Sequence, residues 1–233
     1  GLVTLGVPAA AQQEAACQLT AIMLRRAGTV EEVSDILLDD RVNSVCLGPG
    51  LGRARAGELV RAVLSASGKD RCFVLDADAL TAFETDPSSL FEQLTESAVL
   101  TPHDGEFARL FPDLAADLRS GTVSKVDAVR RASERAGCIV LLKGADTVIA
   151  APDGQTRLNA SVYERAAPWL GTAGSGDVLA GFITGLAARG FWPLDAAASG
   201  AWLHTECART FGPGLISEDL PEQVPGVLRA LGH

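Results

Sequence analysis

Gly171-Thr172-Ala173-Gly174-Ser175-Gly176-Asp177 is followed at once by an apolar pattern of helical period: Val178, Leu179, Phe182, Ile183, Leu186 and Ala187. A glycine-rich turn running into a helix leaves the first amide N–H groups of that helix without intrahelical partners, and the helix dipole adds partial positive charge there. Gly174 and Gly176 allow a sharp turn and a close backbone approach, so the stretch suits an anion such as a phosphate. Asp177 is the odd member. A carboxylate repels a phosphate unless it has a task there, and one such task is to take the proton from a hydroxyl that attacks a phosphoryl group. The competing reading is that Asp177 caps the helix. The motif alone leaves both open.

Outward from this turn, short β-rich runs alternate with longer helical patterns. Upstream, Leu2–Val7, Val42–Leu47, Cys72–Leu75, Ala98–Leu100 and Cys138–Leu142 read as strands, and Ala9–Arg26, Arg53–Ala66 and Val123–Ala136 as helices. Thr147–Ala151 and Thr156–Leu158 flank Pro152-Asp153-Gly154, a hairpin-type turn. Downstream the chain reads as wholly helical: Gly176–Arg189, Ala196–Phe211 and a last helix from about Pro221. Strand–helix alternation implies an α/β domain with a mostly parallel central sheet and helices on both faces. The 233 residues, 47% of them apolar, suit one such domain with a substantial core.

Composition narrows the partners. With a net charge of −9, neither nucleic acid nor an anionic membrane surface is an expected partner, although a local pocket for a nucleotide remains compatible. No apolar run is long enough to span a membrane, and the start does not read as a signal peptide. The five cysteines are widely spaced and never form a CxxC pair, and Cys46, Cys72 and Cys138 fall in strand-like runs. They read as small core residues in a reducing, cytoplasmic setting. The three histidines lack metal-ligand spacing, so no protein-built metal site is expected.

The unusual residues follow strands: Gly48-Pro49-Gly50-Leu51-Gly52, Asp76-Ala77-Asp78, Thr101-Pro102-His103-Asp104-Gly105-Glu106 and Lys143-Gly144-Ala145-Asp146-Thr147. In an open parallel sheet these strand ends share one edge, where such folds bind ligands. Each stretch also has a plain structural reading. Gly48–Gly52 is compatible with a tight turn, Asp76 and Asp78 with helix caps, and Glu106 with a charge in a helix first turn. Asp78 is the better candidate of its pair for a place near a metal ion or substrate. His103 follows a proline in a polar loop, which favours a ligand role over a core role. Lys143 ends an apolar strand, which brings its ammonium to the ligand edge. His204 reads as a packing residue, and His233 as uninformative.

Taken together and in this order, Gly-Pro-Gly-Leu-Gly at 48–52, Leu-Asp-Ala-Asp-Ala-Leu at 75–80, Leu-Thr-Pro-His-Asp-Gly-Glu-Phe-Ala-Arg-Leu at 100–110, Leu-Lys-Gly-Ala-Asp-Thr-Val-Ile at 142–149 and Gly-Thr-Ala-Gly-Ser-Gly-Asp-Val-Leu-Ala-Gly at 171–181 resemble the ADP-dependent NAD(P)H-hydrate dehydratases. The resemblance spans nearly the whole chain and implies the ribokinase-like fold. It also implies a carbon–oxygen lyase of cofactor repair, which phosphorylates the ring hydroxyl of hydrated NADH or NADPH and then loses phosphate. ADP (or ATP) would be the co-substrate, Mg2+ the cation and a homo-oligomer the assembly. Carried over by position, Lys143, Gly144, Ala145, Asp146, Thr147, Gly174, Ser175 and Gly176 would serve the nucleotide. Gly50, His103 and Asp177 would serve the hydrate, with Asp177 as the catalytic base.

The sequence departs from the family pattern at position 104, Asp where proline is common, and at residues 161–169, Ser-Val-Tyr-Glu-Arg-Ala-Ala-Pro-Trp. Leu2–Val7 reads as an interior strand, and the family places more chain before it. The expectation is therefore a single dehydratase domain over 1–233 that lacks its N-terminal segment, with an epimerase domain preceding it in many members. Two alternatives share the motifs: a small-molecule kinase of the same fold, and a non-catalytic nucleotide-binding fragment.

Overall fold

The computed structural model describes residues 1–66 and 71–232. The chain begins with β1 (Thr4–Val7), α1 (Gln12–Gln18), β2 (Met23–Arg26) and α2 (Val30–Leu37). Then come β3 (Ser44–Leu47), α3 (Arg53–Ala66), β4 (Cys72–Leu75), the short α4 (Asp78–Thr81) and α5 (Ser88–Phe91), and β5 (Ala98–Leu100). Helices α6 (Asp104–Leu110), α7 (Pro112–Ser120) and α8 (Lys125–Ala136) lead to β6 (Ile139–Leu142) and the hairpin β7 (Asp146–Ala150) and β8 (Thr156–Ala160). The chain closes with α9 (Ser175–Ala188), α10 (Pro193–Phe211) and α11 (Asp219–Ala230).

Strands β3 to β8 form one six-stranded sheet in sequential order, parallel from β3 to β6 and antiparallel across β6–β7–β8. Right-handed crossovers between neighbours in sequential order put every crossover helix on the same face. Side chains alternate across the sheet accordingly. Phe73, Leu75, Leu100, Val140 and Leu142 meet α3 to α8, whereas Val74, Val99, Ile139, Leu141 and Ile149 meet α9 and α10. The second face is therefore covered by C-terminal helices alone. Helix α9 runs against the strand direction: the Asn43 side chain at the start of β3 donates to the Ala188 carbonyl at the end of α9 (3.0 Å). Its first turn consequently lies at the C-terminal ends of β4 and β6.

Most elements fall where the sequence puts them. Residues 9–26 are the exception, since the expected single helix is broken at Leu19, whose backbone is extended, and resumes as β2. Nothing local forbids a helix there; parallel pairing of Met23–Arg26 with Thr4–Val7 decides it. That pairing forms a separate two-stranded sheet, and within this chain Leu2, Val3, Leu5 and Met23 are exposed. His233 lies outside the described residues. No helix among the described residues is long and apolar enough to cross a membrane.

Candidate functional site

The loops after β3, β4, β5 and β6 converge with the first turn of α9. After β3, the turn carrying Gly50 (φ 68°) is pinned by Asp78, whose Oδ2 accepts the Gly52 N–H at 2.8 Å. After β4, Asp76 is 1% exposed and receives the Lys143 ammonium on Oδ1 at 2.8 Å. Its Oδ2 is buried without a partner among the described residues. Ala77 between the two carboxylates has φ 48° and ψ −117°, a conformation costly for a residue with a Cβ. Neither carboxylate acts as the cap that the sequence allowed: α4 has no side-chain cap, and the two acidic groups reach Lys143 and Gly52 instead.

After β5, the Lys143 N–H donates to the Pro102 carbonyl (2.9 Å), which ties the His103 loop to the end of β6. His103 itself caps α6. Its Nδ1 accepts from the amides of Gly105 (2.9 Å) and Glu106 (3.3 Å), and the Glu106 carboxylate accepts the His103 amide (2.9 Å). In the neutral ring that pattern leaves the proton on Nε2, which lies 3.6 Å from Glu106 Oε1. After β6, the Lys125 ammonium holds the 143–147 loop by donating to the Asp146 carbonyl (2.8 Å) and carboxylate (3.0 Å).

Gly174 starts α9 with φ 82°, and a Cβ there would approach Ser217 Oγ to 2.9 Å. Gly176 is different from the sequence expectation. It lies inside the helix and makes no turn, but a Cβ on it would come within 3.2 Å of Lys143 Nζ and 3.9 Å of Asp76 Oδ2. No side chain caps α9, and the Ser175 hydroxyl donates away from the helix to the Leu170 carbonyl (2.7 Å). The Asp177 carboxylate accepts no hydrogen bond among the described residues. Burial pushes its pKa up, the charges of Asp76 and Asp78 push the same way, and Lys143 opposes them. A capping carboxylate would be bonded to amides and held low. The geometry therefore sets aside the capping reading and leaves a partly desolvated carboxylate beside an uncapped helix start.

Beside this turn lies a cleft of about 610 Å3 between the 143–147 loop, residues 161–171 and α10. Lys143, Gly144, Ala145, Thr147, Ser175 and Gly176 line it, whereas Asp146 is exposed and committed to Lys125. Tyr163 stands at the cleft in a left-handed conformation (φ 52°) and is almost fully exposed. His204 also lines the cleft. It is buried, its ring meets Phe182 edge-on, and burial pushes its pKa down to about 4. The ring is thus neutral near pH 7, with Nε2 unpartnered among the described residues. The packing reading of His204 is right but incomplete, because it packs beneath the ligand edge. Among the described residues no cluster of three or more His, Cys, Asp or Glu is arranged to hold a metal ion.

A mostly parallel sheet with an uncapped helix start at its edge, a carboxylate and a cation beside it, fits a ribokinase-like α/β protein. The chain belongs to the NAD(P)H-hydrate dehydratase family, whose model matches residues 1–219. It is 39% identical over 245 residues to the bifunctional NAD(P)H-hydrate repair enzyme Nnr of Moorella thermoacetica, covering 99% of this chain and 44% of that protein. To the ADP-dependent (S)-NAD(P)H-hydrate dehydratase of Neisseria meningitidis serogroup B it is 37% identical over 188 residues, 80% of this chain and 59% of that protein. The chain thus spans about half the length of these relatives. The fold is also that of the Bacillus subtilis ADP/ATP-dependent NAD(P)H-hydrate dehydratase co-crystallised with ATP and Mg2+ and soaked with CoA. The TM-score is 0.77 at 24% identity, with 99% of this chain and 81% of that one covered.

Proposed function

We propose that this chain carries out the nucleotide-dependent dehydration of NADH or NADPH hydrate. The observation that carries the reading is Asp177: a carboxylate without a hydrogen bond among the described residues, with its proton affinity raised, in the first turn of an uncapped helix. Asp177 takes the proton of the hydrate's ring hydroxyl. The oxygen then attacks the terminal phosphoryl group of ADP, or of ATP, while the free amides after Gly174 hold the phosphoryl oxygens. Hydroxide is a poor leaving group and phosphate a much better one. The lone pair of the adjacent ring nitrogen expels the phosphate, and loss of a proton from the neighbouring carbon restores the reduced nicotinamide. One nucleotide is cleaved and one phosphate released per turnover.

In this reading Lys143, Gly144, Ala145, Thr147, Gly174, Ser175 and Gly176 serve the nucleotide, and Asp146 contributes by holding its loop to Lys125. Gly50 and His103 face the hydrate, His103 through the Nε2–H that its capping role leaves over. Mg2+ suits the donor set, because that ion keeps several waters and uses one or two carboxylates alongside substrate phosphates. Asp78 is the carboxylate that would face it, and its charge would offset that of the phosphates.

The test is to mix the protein with the hydrate, Mg2+ and either ADP or ATP, and to follow reduced-nicotinamide absorbance together with phosphorus NMR. Reduced nicotinamide and inorganic phosphate should appear in equal amounts. A persistent phosphate ester, or phosphorylation of a thiazole or pyridoxal alcohol with the hydrate untouched, would establish the kinase reading instead.

A further inference from the structure

The Asp76–Lys143 pair is more buried than the other ion pairs among the described residues, at 1% and 19% side-chain exposure, and it joins positions 67 residues apart. A buried pair is weak evidence for stability, since desolvation of both charges offsets their attraction. Its placement is more informative. Lys143 Nζ lies so close to the first turn of α9 that a Cβ on Gly176 would meet it at 3.2 Å. An ammonium has three donors. The Lys143 ammonium gives one to Asp76, and no other bond from it is made among the described residues. Asp76 Oδ2, buried and unpartnered, lies at the same helix turn. The strained backbone of Ala77 sits next to it, and strain of this kind persists where the surroundings enforce it.

The charge balance gives the pair a purpose. Asp76, Asp78 and Asp177 all act on this space, and Lys143 is the cation that opposes them at Asp177. An incoming phosphoryl group adds more negative charge. We propose that Asp76 is a positioning residue: its buried carboxylate holds the Lys143 ammonium over the open start of α9, where Lys143 meets the phosphoryl group as it passes to the acceptor hydroxyl. The proposal rests on the phosphoryl-transfer reading given above. In the step itself, the bond from phosphorus to the donor's bridging oxygen breaks and its electron pair leaves with the nucleotide. The acceptor oxygen bonds to phosphorus, and its proton goes to Asp177. Lys143 stays protonated throughout and donates its two remaining N–H groups to phosphoryl oxygens.

The sign of one substitution separates positioning from simple electrostatics. Asp76→Asn removes a negative charge beside an anion site, so charge alone makes phosphate binding tighter. If Asp76 acts by holding Lys143, the same change makes it weaker. The probe is inorganic pyrophosphate, titrated calorimetrically into the intact chain, with thermal melts as a check on folding. Lys143→Met should weaken pyrophosphate about tenfold or more, as expected for loss of a charged hydrogen-bond donor. Asp76→Asn should weaken it as well and lower kcat for the hydrate more than it raises KM for the nucleotide. The double variant, neutral at both positions, should bind pyrophosphate no more weakly than Lys143→Met alone. Unchanged or tighter binding by folded Asp76→Asn overturns the proposal. So does a further loss in the double variant, a comparison that holds even if Asp76→Asn alone does not fold. A wild-type chain that leaves the hydrate unchanged sinks the dehydratase reading separately, and the pyrophosphate series still decides the pair.

Discussion

Helices α6 and α9 both start at the ligand edge of the same sheet, and their starts are built in opposite ways. At α6 the His103 ring and the Glu106 carboxylate consume the first amides in a reciprocal cap. At α9 the cap position is Gly174, no side chain reaches the amides, and Ser175 turns its hydroxyl elsewhere. The first start is closed by its own side chains and is a structural joint. The second is left open and keeps its donors and partial charge for an anion. A helix terminus beside a cleft is therefore a binding feature only when the chain has refrained from capping it.

The contrast is tested most severely at Asp177. Asp177→Asn should lower turnover by about 10²–10⁴-fold, the contribution of a positioned base, while nucleotide affinity measured by calorimetry stays near normal. In the wild type the raised pKa of Asp177 moves the acid limb of the rate profile upward. Activity should be lost as pH falls through a value above that of an ordinary aspartate, because the base is then protonated. Near-normal turnover by the Asn variant would return Asp177 to the role of a helix-end residue.

The support beneath α9 gives the next largest effect. His204 is held neutral, with a folded pKa of about 4 against 6.5 ordinarily. Its depressed value contributes stability that is present above about pH 6.5 and lost as pH falls toward 4. The full shift corresponds to roughly 3 kcal/mol. Chemical denaturation across this range should show the decline, and His204→Leu should flatten it; an unchanged slope would mean that the ring is not the group being titrated.

Gly174→Ala comes third. A Cβ at φ 82° and 2.9 Å from Ser217 Oγ should cost about 1–2 kcal/mol, with weaker nucleotide binding because the open turn must shift. Adding Ser217→Ala should recover part of the melting temperature.

The smallest effect belongs to the closed start. His103→Ala should cost about 1 kcal/mol through loss of the cap. His103→Asn, a good capping residue, should restore the melting temperature yet leave KM for the hydrate raised. Restoration of both by Asn would confine His103 to capping.

Local pattern carried most of the fold. Cys72–Leu75 and Ala98–Leu100 have the bounds that periodicity assigns them, and α3 begins at Arg53 as expected, because apolar spacing and flanking turns agree there. Residues 19–26 do not reveal a strand, since Met23 and Leu24 suit a helix equally and their partner is β1. At the site, the open turn and Asp177 are legible as chemistry because glycine and an acid at a helix start are locally odd. Asp76 and His204 are not. Asp76 looks like any acid after a strand until Lys143, distant in the chain, arrives beside it, and His204 looks like a core residue until α9 is laid over it. Sequence shows which residues are unusual for their own element; it does not show which elements will meet.

The sequential order of the sheet has a consequence for the growing chain. Strands β3 to β8 and every crossover helix are complete by Ala160, yet Val74, Val99, Ile139, Leu141 and Ile149 still lack the layer that covers them. That layer is α9 and α10, made last. During synthesis a nearly finished sheet presents a bare apolar face until those helices leave the ribosome, and an interrupted product is exposed to aggregation through it. The same late helix brings Asp177. Closure of the core and appearance of Asp177 are one event, so a chain cut before α9 is left with a bare apolar face and without that carboxylate.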